Sequence, residues 1–426
     1  MTTPTQILRD VDPEQKVRDL ETLLDVTRKM SSVRDSDELL GIILTEAVRV
    51  MVADRASLFL LDKATNELVS RIAQKTGTMF RFPVGKGIAG HVAATKEVVN
   101  IPDAYQDPRF NPEYDRMTGY VTRTVLCAPL LTRDDELIGV IQVINKKTGA
   151  FSRYDEVFLL AFGAQCAMSL ENARLLREYI DQQKIKQSLA IARNVQQGLL
   201  PKKPPEIPGW DLASKSIPCD ETGGDYFDFV PLPDSRLGLV VGDVSGHGIG
   251  PALLMASARS FLRALSRQTS DPSEVLPVLN DLVARDMEAE RFITLFYGAL
   301  DPATGAIRYS SAGHDAPLLY RAAADRFDEL DSTGMPLGIM EGSPFPAVDV
   351  PPMEPGDILA LSTDGVWEAM DPDGKGYGRE RLVEAIRHAR KNSAHTIVER
   401  IYLDVTGFCG RAPQRDDFTL VVVKRT

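Results

Sequence analysis

The longest regular pattern in the chain is a helical spacing of apolar residues that starts near Arg153 and continues to about Leu200. Two runs make up this pattern, namely Ala173, Leu176 and Ile180, and then Ile185, Leu189, Ala192, Val195 and Leu199. The polar segment 181–184 breaks the phase between them. The segment "LLPKKPPEIPG" follows, and its four prolines end the helix. The pattern therefore predicts two folded parts joined by one long helix.

An apolar stripe of this length has no domain of its own to cover it. The simplest cover is the same helix of a second subunit, which predicts a homodimer with a coiled-coil linker. The alternative is a single amphipathic helix that lies back on its own domain. The spacing of the apolar residues is compatible with both.

Length, composition and charge are those of a soluble globular protein. A chain of 426 residues is expected to form two or three domains. Its content of 43% hydrophobic and 26% charged residues is sufficient for well-formed cores. The formal net charge of −11 argues against nucleic acid or an anionic membrane as a general partner, because an acidic surface repels phosphate.

The cysteines and the apolar segments indicate a cytoplasmic location. The four cysteines are scattered without a C-x-x-C pair, which argues against a disulfide framework or a zinc knuckle and favours a reducing compartment. The N-terminal sequence has no charged-then-apolar signal pattern. The longest apolar stretch, near Phe158–Leu170, is shorter than the roughly 20 residues of a membrane span.

The part before the long helix is predicted to be a helical segment followed by a sheet. Residues 13–53 have helical spacing, and from Arg55 the pattern changes to short runs rich in apolar and β-branched residues. These runs predict a five- or six-stranded antiparallel sheet: "RASLFLLD", "ELVSRIAQ", "VVNI", "TVLCAPLL" and "ELIGVIQVINK". The polar segment Asp103–Tyr120 interrupts the sheet and is a candidate binding lid.

The part after the prolines, from Trp210 onward, is predicted to be mainly strands with helices between them. "FITLFYGALDPATGAIRYSSAGH" predicts a hairpin with a short Gly-containing loop. "GPALLMASARSFLRALSRQ" predicts a helix with Pro251 near its first turn. "RERLVEAIRHARK" and "AHTIVERIYLDV" predict further helices, and "DFTLVVVKR" predicts a closing strand. The chain as a whole is expected to be of the α+β class.

Carboxylates stand at the ends of several of these strands. Asp225 follows Gly-Gly, Asp243 ends "LGLVVGD", Asp364 ends "GDILALSTD", and Asp416 with Asp417 begins "DDFTLVVV". Carboxylates at the ends of adjacent strands can converge, and their repulsion would raise their pKa values unless a hard divalent cation such as Mg²⁺ or Mn²⁺ neutralised it. Two such ions could activate a water toward phosphorus.

Each of these sites alone is also compatible with ordinary turn chemistry, since aspartate beside glycine is common in turns. The recurrence of the pattern at several strand ends favours a metal site. Which carboxylates meet depends on topology, and the pattern leaves that open.

The motifs in this second half resemble, in their order, those of bacterial PPM-type metal-dependent serine/threonine phosphatases of the branch with stress-response and sporulation regulators. They span about residues 186–426: "GGDYFDF", "GDVSGHGIGPALLMA", "SSAGHDAPLLY", "GMPLG", "LSTDGVWEA" and "RDDFTLVVV". The resemblance implies two antiparallel sheets sandwiched between helices, with a centre of two Mn²⁺ or Mg²⁺ ions at one edge. It implies catalysis by attack of metal-bound water on phosphoserine or phosphothreonine, without a covalent intermediate.

The same resemblance implies the roles of individual residues. Asp225 and Asp243 would ligate or bridge both ions and carry catalysis, and the backbone carbonyl of Val244 would be a further ligand. Asp364 and Asp416 would complete the metal site. The family pattern favours Asp416 over Asp417, because its second position is often an amide, and strand alternation does not decide between them.

Other polar residues near these motifs are expected to have supporting roles. His247 and His314 are expected to form hydrogen bonds in loops rather than act as a general acid, because neither sequence context supplies a carboxylate partner. Ser245 has no neighbouring base that would make it a nucleophile. Trp367 stands where the family usually has a smaller polar residue, which could alter the substrate face.

The first half resembles a GAF domain over about residues 20–175. The motifs are "ASLFLLD", "FPVGKGIAGHVAATKEVVNIPDAYQDPRFN", "TVLCAPL" and "LIGVIQVINKKTGAFSRYDEVFL". Asn145-Lys146, Phe151 and Asp155-Glu156 match the N-K…F-x-x-x-D-E pattern of GAF domains in cyclic-nucleotide phosphodiesterases and cyclases. A lysine–aspartate tie between the last strand and the next helix is expected. A cyclic nucleotide, another ligand and no ligand all stay open, and Cys127 is expected to be buried.

Together these expectations describe a cytoplasmic, homodimeric signalling phosphatase. The predicted parts are an N-terminal segment that is partly helical (1–19), a GAF sensor domain (20–175), a helical, coiled-coil linker (176–205) and a PPM-type phosphatase domain (206–426). By resemblance, the substrate is a phosphorylated partner protein such as an anti-sigma-factor antagonist. The alternatives are a ligand-gated binding module with a phosphatase-like fold, and a hydrolase of a small phosphoester.

Overall fold

A computed structural model describes residues 12–33, 35–70, 80–287 and 291–426. The chain divides into two compact units, with the boundary between Gln183 and Lys184. This boundary lies inside the predicted linker 176–205, and the predicted domain limits themselves stay predictions.

The first unit combines helices with one sheet. Its helices are α1 (Pro13–Ser31), α2 (Ser36–Val50), α3 (Gly87–Thr95), α4 (Glu113–Thr118) and the start of α5 (Arg153–Leu199). Its strands are β1 (Ala53–Asp62), β2 (Glu67–Ser70), β3 (Arg81–Pro83), β4 (Val99–Ile101), β5 (Val125–Leu131) and β6 (Leu137–Lys146). Aspartates cap the first two helices, since the side chain of Asp12 accepts from the backbone of Glu14 and that of Asp35 from the backbone of Glu38.

The described strands form a six-stranded antiparallel sheet in the order β3-β2-β1-β6-β5-β4. This confirms the antiparallel sheet predicted from the sequence. The predicted strand at 67–74 is described only over Glu67–Ser70, and its remainder lies outside the described residues.

Both faces of the sheet are covered. Helices α1, α2 and the first part of α5 pack on one face, where Ile43, Leu58 and Phe162 are fully buried. Helix α3 packs on the other face, and Val92 lies there with Cys127, whose predicted burial is confirmed. The first unit therefore has a core on each side of the sheet.

The segment Asp103–Tyr120 is more ordered than the loop expected from its polarity. It contains a 3₁₀ turn (Ala104–Gln106) and helix α4. The buried carboxylate of Asp115 accepts hydrogen bonds from the backbone and hydroxyl of Thr122 at 2.6 and 2.9 Å and from the hydroxyl of Tyr105 at 3.1 Å. One buried acid therefore fixes this segment, which explains how a polar sequence is held over the sheet.

The predicted lysine–aspartate tie is confirmed. The Nζ of Lys146, at the end of β6, lies 2.7 Å from Oδ1 of Asp155 in the first turn of α5, and both side chains are mostly buried. Asp155 also accepts from the backbone of Ser152, whose hydroxyl accepts from the backbone of Asp155, so the pair caps the helix reciprocally. The contact fixes the start of the long helix against the sheet.

Helix α5 is a single continuous helix from Arg153 to Leu199, so the polar segment 181–184 changes the apolar phase without interrupting the backbone. Apolar side chains are exposed along much of it, and they include Leu175, Leu176, Tyr179, Ile180, Ile185, Ile191 and Val195. Within the described residues, no helix combines the length and apolar character that a membrane crossing requires.

The second unit contains the remaining elements. Its strands are β7 (Trp210–Ile217), β8 (Tyr226–Pro231), β9 (Leu237–Val244), β10 (Ile293–Leu300), β11 (Ile307–Ala312), β12 (Leu318–Arg321), β13 (Arg326–Glu329), β14 (Val348–Val350), β15 (Ile358–Ser362) and β16 (Phe418–Arg425). Its helices are the end of α5, α6 (Ile249–Leu265), α7 (Pro272–Asp286), α8 (Arg379–Ala389) and α9 (Ala394–Cys409).

The described strands form two five-stranded antiparallel sheets, in the orders β14-β11-β10-β9-β8 and β13-β12-β15-β16-β7. The inner faces of both sheets share one core, which contains Phe229, Val241, Phe296, Leu359 and Val421. Helices α6 and α7 cover the outer face of the first sheet, and α8 and α9 cover that of the second. The predicted sandwich of two sheets between helices is therefore confirmed.

The local elements predicted for this half are also found. The hairpin is β10–β11, the helix with an early proline is α6, and the two later helices are α8 and α9. Helix α7 was not singled out from the sequence, although Asp271 caps it and Pro272 opens it. Its signal is interrupted by Pro277, which lies inside the helix.

The tie at the start of α5 generates a stability prediction. We expect Asp155→Asn to destabilise the first unit by about 1–3 kcal/mol, because it leaves the mostly buried ammonium of Lys146 without its anion. Thermal unfolding of the full chain by calorimetry, with hydrogen exchange in β6, measures the change.

Glu178→Gln on the same helix is the matched control for that variant. Its partner Arg174 is at 3.5 Å and both side chains are about half exposed, so the expected cost is below about 0.5 kcal/mol. Equal effects of the two variants would contradict a special role for the Lys146–Asp155 contact.

Candidate metal centre and catalytic site

Antiparallel pairing places Asp225 and Asp243 side by side. Strands β8 and β9 pair with Tyr226 opposite Gly242. Asp225, just before β8, therefore lies beside Asp243, near the end of β9. Asp225 is buried, whereas Asp243 is partly exposed at the edge of the sheet. The first sheet therefore contributes two neighbouring carboxylates to one end of the sandwich.

Gly224 is required between these groups by close packing. A Cβ atom at this position would lie 2.7 Å from the carbonyl oxygen of Val244 and 3.1 Å from Oδ1 of Asp243. The absence of a side chain leaves both oxygens accessible from the same side. This is the local reason for the Gly-Gly-Asp sequence, which the sequence analysis interpreted only as giving close access.

The second sheet contributes the other two predicted acids. Strands β15 and β16 pair with Ser362 opposite Leu420, which places the residues beyond that end of the two strands close together. Asp364 opens a 3₁₀ turn just after β15, and Asp416 comes just before β16. Gly365 packs against the backbone of residues 416–417, where a Cβ would lie 2.0 Å from the carbonyl oxygen of Asp417.

Hydrogen bonds join the two sheets at this end. The hydroxyl of Thr363 donates to Oδ2 of Asp225 at 2.8 Å, and the backbone N–H of Asp225 donates to Oδ2 of Asp417 at 3.4 Å. Thr363 was missed by sequence reasoning, although its position directly before Asp364 at the end of a buried strand was a usable signal. The four predicted carboxylates are therefore brought to one edge of the sandwich.

Asp416 and Asp417 occupy different environments. Asp417 is buried, and its carboxylate accepts from the backbone N–H groups of Cys219 at 2.8 Å and of Asp225 at 3.4 Å. Asp416 is exposed, and Oδ1 of its carboxylate accepts a hydrogen bond from the backbone N–H of Asp417 at 2.8 Å. The structure thus gives Asp417 an anchoring role and leaves oxygens of Asp416 available, which supports the choice of Asp416 as the ligand.

Mutual repulsion is visible in the pKa values of the cluster. Burial, and then the charges of Asp243 and Asp417, raise the pKa of Asp225 well above its usual range. Burial, and then Asp364, Asp416 and Asp417, raise the pKa of Asp243 to about 7. Burial, and then Asp416, raise the pKa of Asp364 to about 6. Raised pKa values are what the sequence pattern predicts for carboxylates that converge.

The donor set fits hard divalent cations. Among the described residues, no three or more His, Cys, Asp or Glu side chains form a group that could hold a metal ion as they are placed. However, the donors at this edge are carboxylate and carbonyl oxygens, which suit Mg²⁺ and Mn²⁺. A cation would also offset the burial and the mutual repulsion that raise the pKa values of Asp225, Asp243 and Asp364.

His247 has a carboxylate partner that the sequence did not reveal. Its Nδ1 lies 2.9 Å from Oδ2 of Asp220, in the loop before β8, and both side chains are exposed. The local sequence around His247 contains no such partner, because Asp220 is 27 residues away along the chain. The pair joins the loop that leads to Asp225 with the loop that follows β9.

His314 is buried behind the site. Its Nδ1 lies 3.0 Å from Oγ1 of Thr294, the residue opposite Asp243 in the β9–β10 ladder. Burial lowers the pKa of His314 to about 4, so its ring is neutral at physiological pH. Its neighbour Asp315 is one of the charges that raise the pKa of Asp364. A loop-fixing role fits this geometry better than proton transfer.

Ser245 is used in backbone pairing. Its hydroxyl accepts from the backbone N–H of Phe292 at 3.0 Å, and its own N–H donates to the Phe292 carbonyl at 3.0 Å. No described base is hydrogen-bonded to this hydroxyl, as expected from the sequence.

A pocket of about 280 Å³ opens beside the acids of the second sheet. Its walls include Glu368, Met370, Tyr402, Thr406, Arg415 and Asp416. Trp367 lies next to this region, with the guanidinium of Arg379 5.8 Å from its ring centre. The surface around the cluster thus combines apolar, cationic and anionic groups within reach of Asp416.

Comparison with known proteins gives matches for both halves of the chain. The family model for stage II sporulation protein E (SpoIIE) matches residues 233–426, and the GAF domain model matches residues 35–170. Asp225 lies just before the first of these ranges. A probable 3′,5′-cyclic phosphodiesterase of Caenorhabditis elegans is 39% identical over 168 residues, which are 36% of this chain and 23% of that protein.

The second half has relatives among phosphatases. The phosphoserine phosphatase RsbU of Bacillus subtilis (strain 168) is 34% identical over 247 residues, which are 57% of this chain and 72% of that protein. The solved structure of the SiaA-PP2C domain of Pseudomonas aeruginosa is similar in fold, with a TM-score of 0.50 and 23% identity over 57% of this chain and 98% of that domain.

The double sheet with its acidic edge, together with these matches, defines a serine/threonine protein phosphatase of the PPM class, also called PP2C. Within that class the chain belongs to the SpoIIE family, with the phosphoserine phosphatase RsbU among its relatives, and its first half contains a GAF domain.

The raised pKa values generate a prediction for the protein without divalent metal. The pKa values of Asp243 and Asp364 are about 7 and about 6 in the folded state, against an ordinary value of 3.8. The folded state therefore binds protons that the unfolded chain releases, so this contribution to stability is complete below about pH 4 and is lost as the pH rises through about 7. We expect Asp243→Asn to flatten this decline.

Urea unfolding in a chelating buffer, followed by tryptophan fluorescence between pH 5 and 8, measures the effect. Both tryptophans, Trp210 and Trp367, lie in the second unit and therefore report its unfolding. Parallel pH profiles for the wild type and Asp243→Asn would rule out a raised pKa at Asp243.

Proposed function

We propose that the chain is a metal-dependent phosphatase that hydrolyses phosphoserine or phosphothreonine on a partner protein, under the control of its GAF domain. The observation that carries this proposal is the convergence of Asp225 and Asp243 from one sheet with Asp364 and Asp416 from the other. Two Mn²⁺ or Mg²⁺ ions held by these acids and the Val244 carbonyl would supply Lewis-acid stabilisation of the phosphoryl group and activation of water.

The protein's own residues prepare this site. Thr363 fixes one oxygen of Asp225. Asp417 fixes the backbone at Asp225 and at Cys219, and so holds the loop that precedes β8 against the second sheet. Strand pairing holds Asp243 at the sheet edge, and Gly224 leaves its Oδ1 open. The acids are therefore oriented before a substrate arrives, which is the condition for electrostatic catalysis.

The substrate class follows from the resemblance of the motifs. Phosphatases of this branch suggest a phosphorylated anti-sigma-factor antagonist or a similar small partner protein. The pocket beside Asp416 offers a protein substrate a place for a side chain near the phosphorylated residue. A small phosphoester would fill only the acidic edge.

We expect Asp243→Asn to lower manganese-dependent release of phosphate from a phosphoserine protein by more than about 100-fold, since changes even in partners of metal ligands cost 10–100-fold. Circular dichroism should show an unchanged fold. The measurement is phosphate release from a phosphoprotein and, in parallel, from nucleotides.

Asp234→Asn is the control for that variant, because Asp234 lies in the exposed turn before β9, at the opposite end of the strand from Asp243. Full activity of Asp243→Asn would refute the site. Faster turnover of nucleotides than of phosphoprotein would favour a small-phosphoester hydrolase. Absence of Mn²⁺ and Mg²⁺ binding in calorimetry would favour a module that only docks a partner.

Regulation is proposed to pass through helix α5 in a homodimer. Exposed apolar residues on this helix and on α1 support a covering partner, which we take to be a second copy of the chain: Val17, Leu20, Leu24, Leu175, Leu176, Tyr179, Ile185, Ile191 and Val195. A GAF ligand, with a cyclic nucleotide as the first candidate, would bias the helix between two registers near 181–184.

An insertion series tests this coupling. Four residues inserted after Gln183 nearly restore helical phase, whereas two residues rotate the following helix by about half a turn. We expect the four-residue variant to retain more of the wild-type activity and response to cyclic AMP or cyclic GMP than the two-residue variant. Phosphate release and thermal unfolding, each with and without nucleotide, are the measurements. Equal activity and equal response in both variants would contradict coupling through the helix.

A further inference from the structure

The end of helix α5 has an unusual pattern of burial. Within 184–199, Gln196 is more deeply buried than any apolar residue: Leu189, Ala192 and Leu199 are half-buried, and Ile185, Ile191 and Val195 are each more than 60% exposed. A helix that simply packed on its domain would bury its apolar residues and expose its amides. The inversion indicates that Gln196 has a specific partner.

That partner is the backbone of Gly223. The amide nitrogen Nε2 of Gln196 donates to the Gly223 carbonyl at 2.5 Å, and the Gly223 N–H donates to Oε1 of Gln196 at 3.2 Å. One side chain thus satisfies both backbone polar groups of a buried glycine, in place of a neighbouring strand. Loss of the amide would leave two buried groups unpaired.

Gly223 leads directly to the metal-site residues. Its Cα packs on Asp417, where a Cβ would lie 2.1 Å from Oδ2. The next residue, Gly224, lies against the Val244 carbonyl and Oδ1 of Asp243, and the residue after it is Asp225. A displacement of Gly223 would therefore move Asp225 relative to Asp243, because Gly223 and Gly224 are closely packed against their neighbours.

We propose that Gln196 is a positioning residue, which holds the segment Gly223–Asp225 in the arrangement that binds divalent cations. The end of helix α5 then sets the metal affinity of the catalytic unit through this amide. The inference rests on the proposed function, since it assigns Gln196 a role toward the ions that Asp225 and Asp243 would hold. The contact also identifies the residue through which the linker helix would act on the segment Gly223–Asp225.

A purely structural contact would have a different signature. If Gln196 only tied down a helix end, its replacement would lower the unfolding temperature but leave the metal affinity of the folded protein unchanged. If it positions Asp225, the affinity for Mn²⁺ falls in protein that is still folded. Metal affinity, measured well below the unfolding temperature, therefore separates the two roles.

The test compares Gln196→Met with Gln197→Met in the full chain. Methionine keeps the length of the side chain but forms neither hydrogen bond to Gly223, and Gln197 is the exposed neighbour on the same turn. Titration calorimetry with Mn²⁺ is expected to give roughly 10-fold weaker binding for Gln196→Met and wild-type binding for Gln197→Met, in line with other residues that orient metal ligands. Raising Mn²⁺ should restore much of the phosphatase activity.

Gln196→Leu also removes both hydrogen bonds to Gly223 without adding a charge beside the acids. It is expected to weaken Mn²⁺ binding as Gln196→Met does, and it carries the test if the methionine variant does not fold. Wild-type Mn²⁺ affinity in either folded Gln196 variant would overturn the inference. Absence of Mn²⁺ binding in the wild type would contradict the proposed function and this inference with it.

Discussion

Repulsion between carboxylates at one edge of the double sheet is the constraint on which the second unit depends. Asp225 and Asp243 come from adjacent strands of one sheet, and Asp364 and Asp416 flank adjacent strands of the other. Burial first, and the charges of neighbouring aspartates second, raise the pKa values of Asp225, Asp243 and Asp364. A loose scaffold would relieve the strain by separating the acids. The shared core between the two sheets opposes this separation, and so keeps the four acids at one edge.

The adjacent aspartates Asp416 and Asp417 differ in burial and in hydrogen bonding. The carboxylate of Asp417 accepts hydrogen bonds from the backbone N–H groups of Cys219 and Asp225, and so holds the loop before β8. Asp416, one residue earlier, is exposed and leaves oxygen atoms available. Two adjacent aspartates thus differ because one faces backbone donors and the other faces the open edge. Strand alternation in the sequence could not make this distinction, since both positions lead into the same apolar strand.

The sequence predicted those features that depend on neighbours along the chain. Apolar runs identified the strands, and the acids at their ends identified the cluster, because a strand end fixes where Asp243 and Asp364 must lie. Contacts between distant segments were not predictable. The partner of His247 is 27 residues upstream, and Thr363 reaches Asp225 across 138 residues, so both contacts follow from the order of strands in the sheets. Local pattern contains no information on that order.

The contact of Gln196 with Gly223 shows why a polar residue suits the junction between a linker helix and a catalytic loop. An apolar contact tolerates sliding, because its free energy depends on buried area rather than on direction. A paired amide does not, since a shift of the helix leaves buried donors and acceptors unpaired at a cost of about 1–3 kcal/mol each. The exposed Ile191 and Val195 on the same turns can contact a partner of the helix. The hydrogen bonds of Gln196 depend on where the end of the helix lies. A rotation of α5 that moved the apolar stripe would then necessarily act on the loop that carries Asp225.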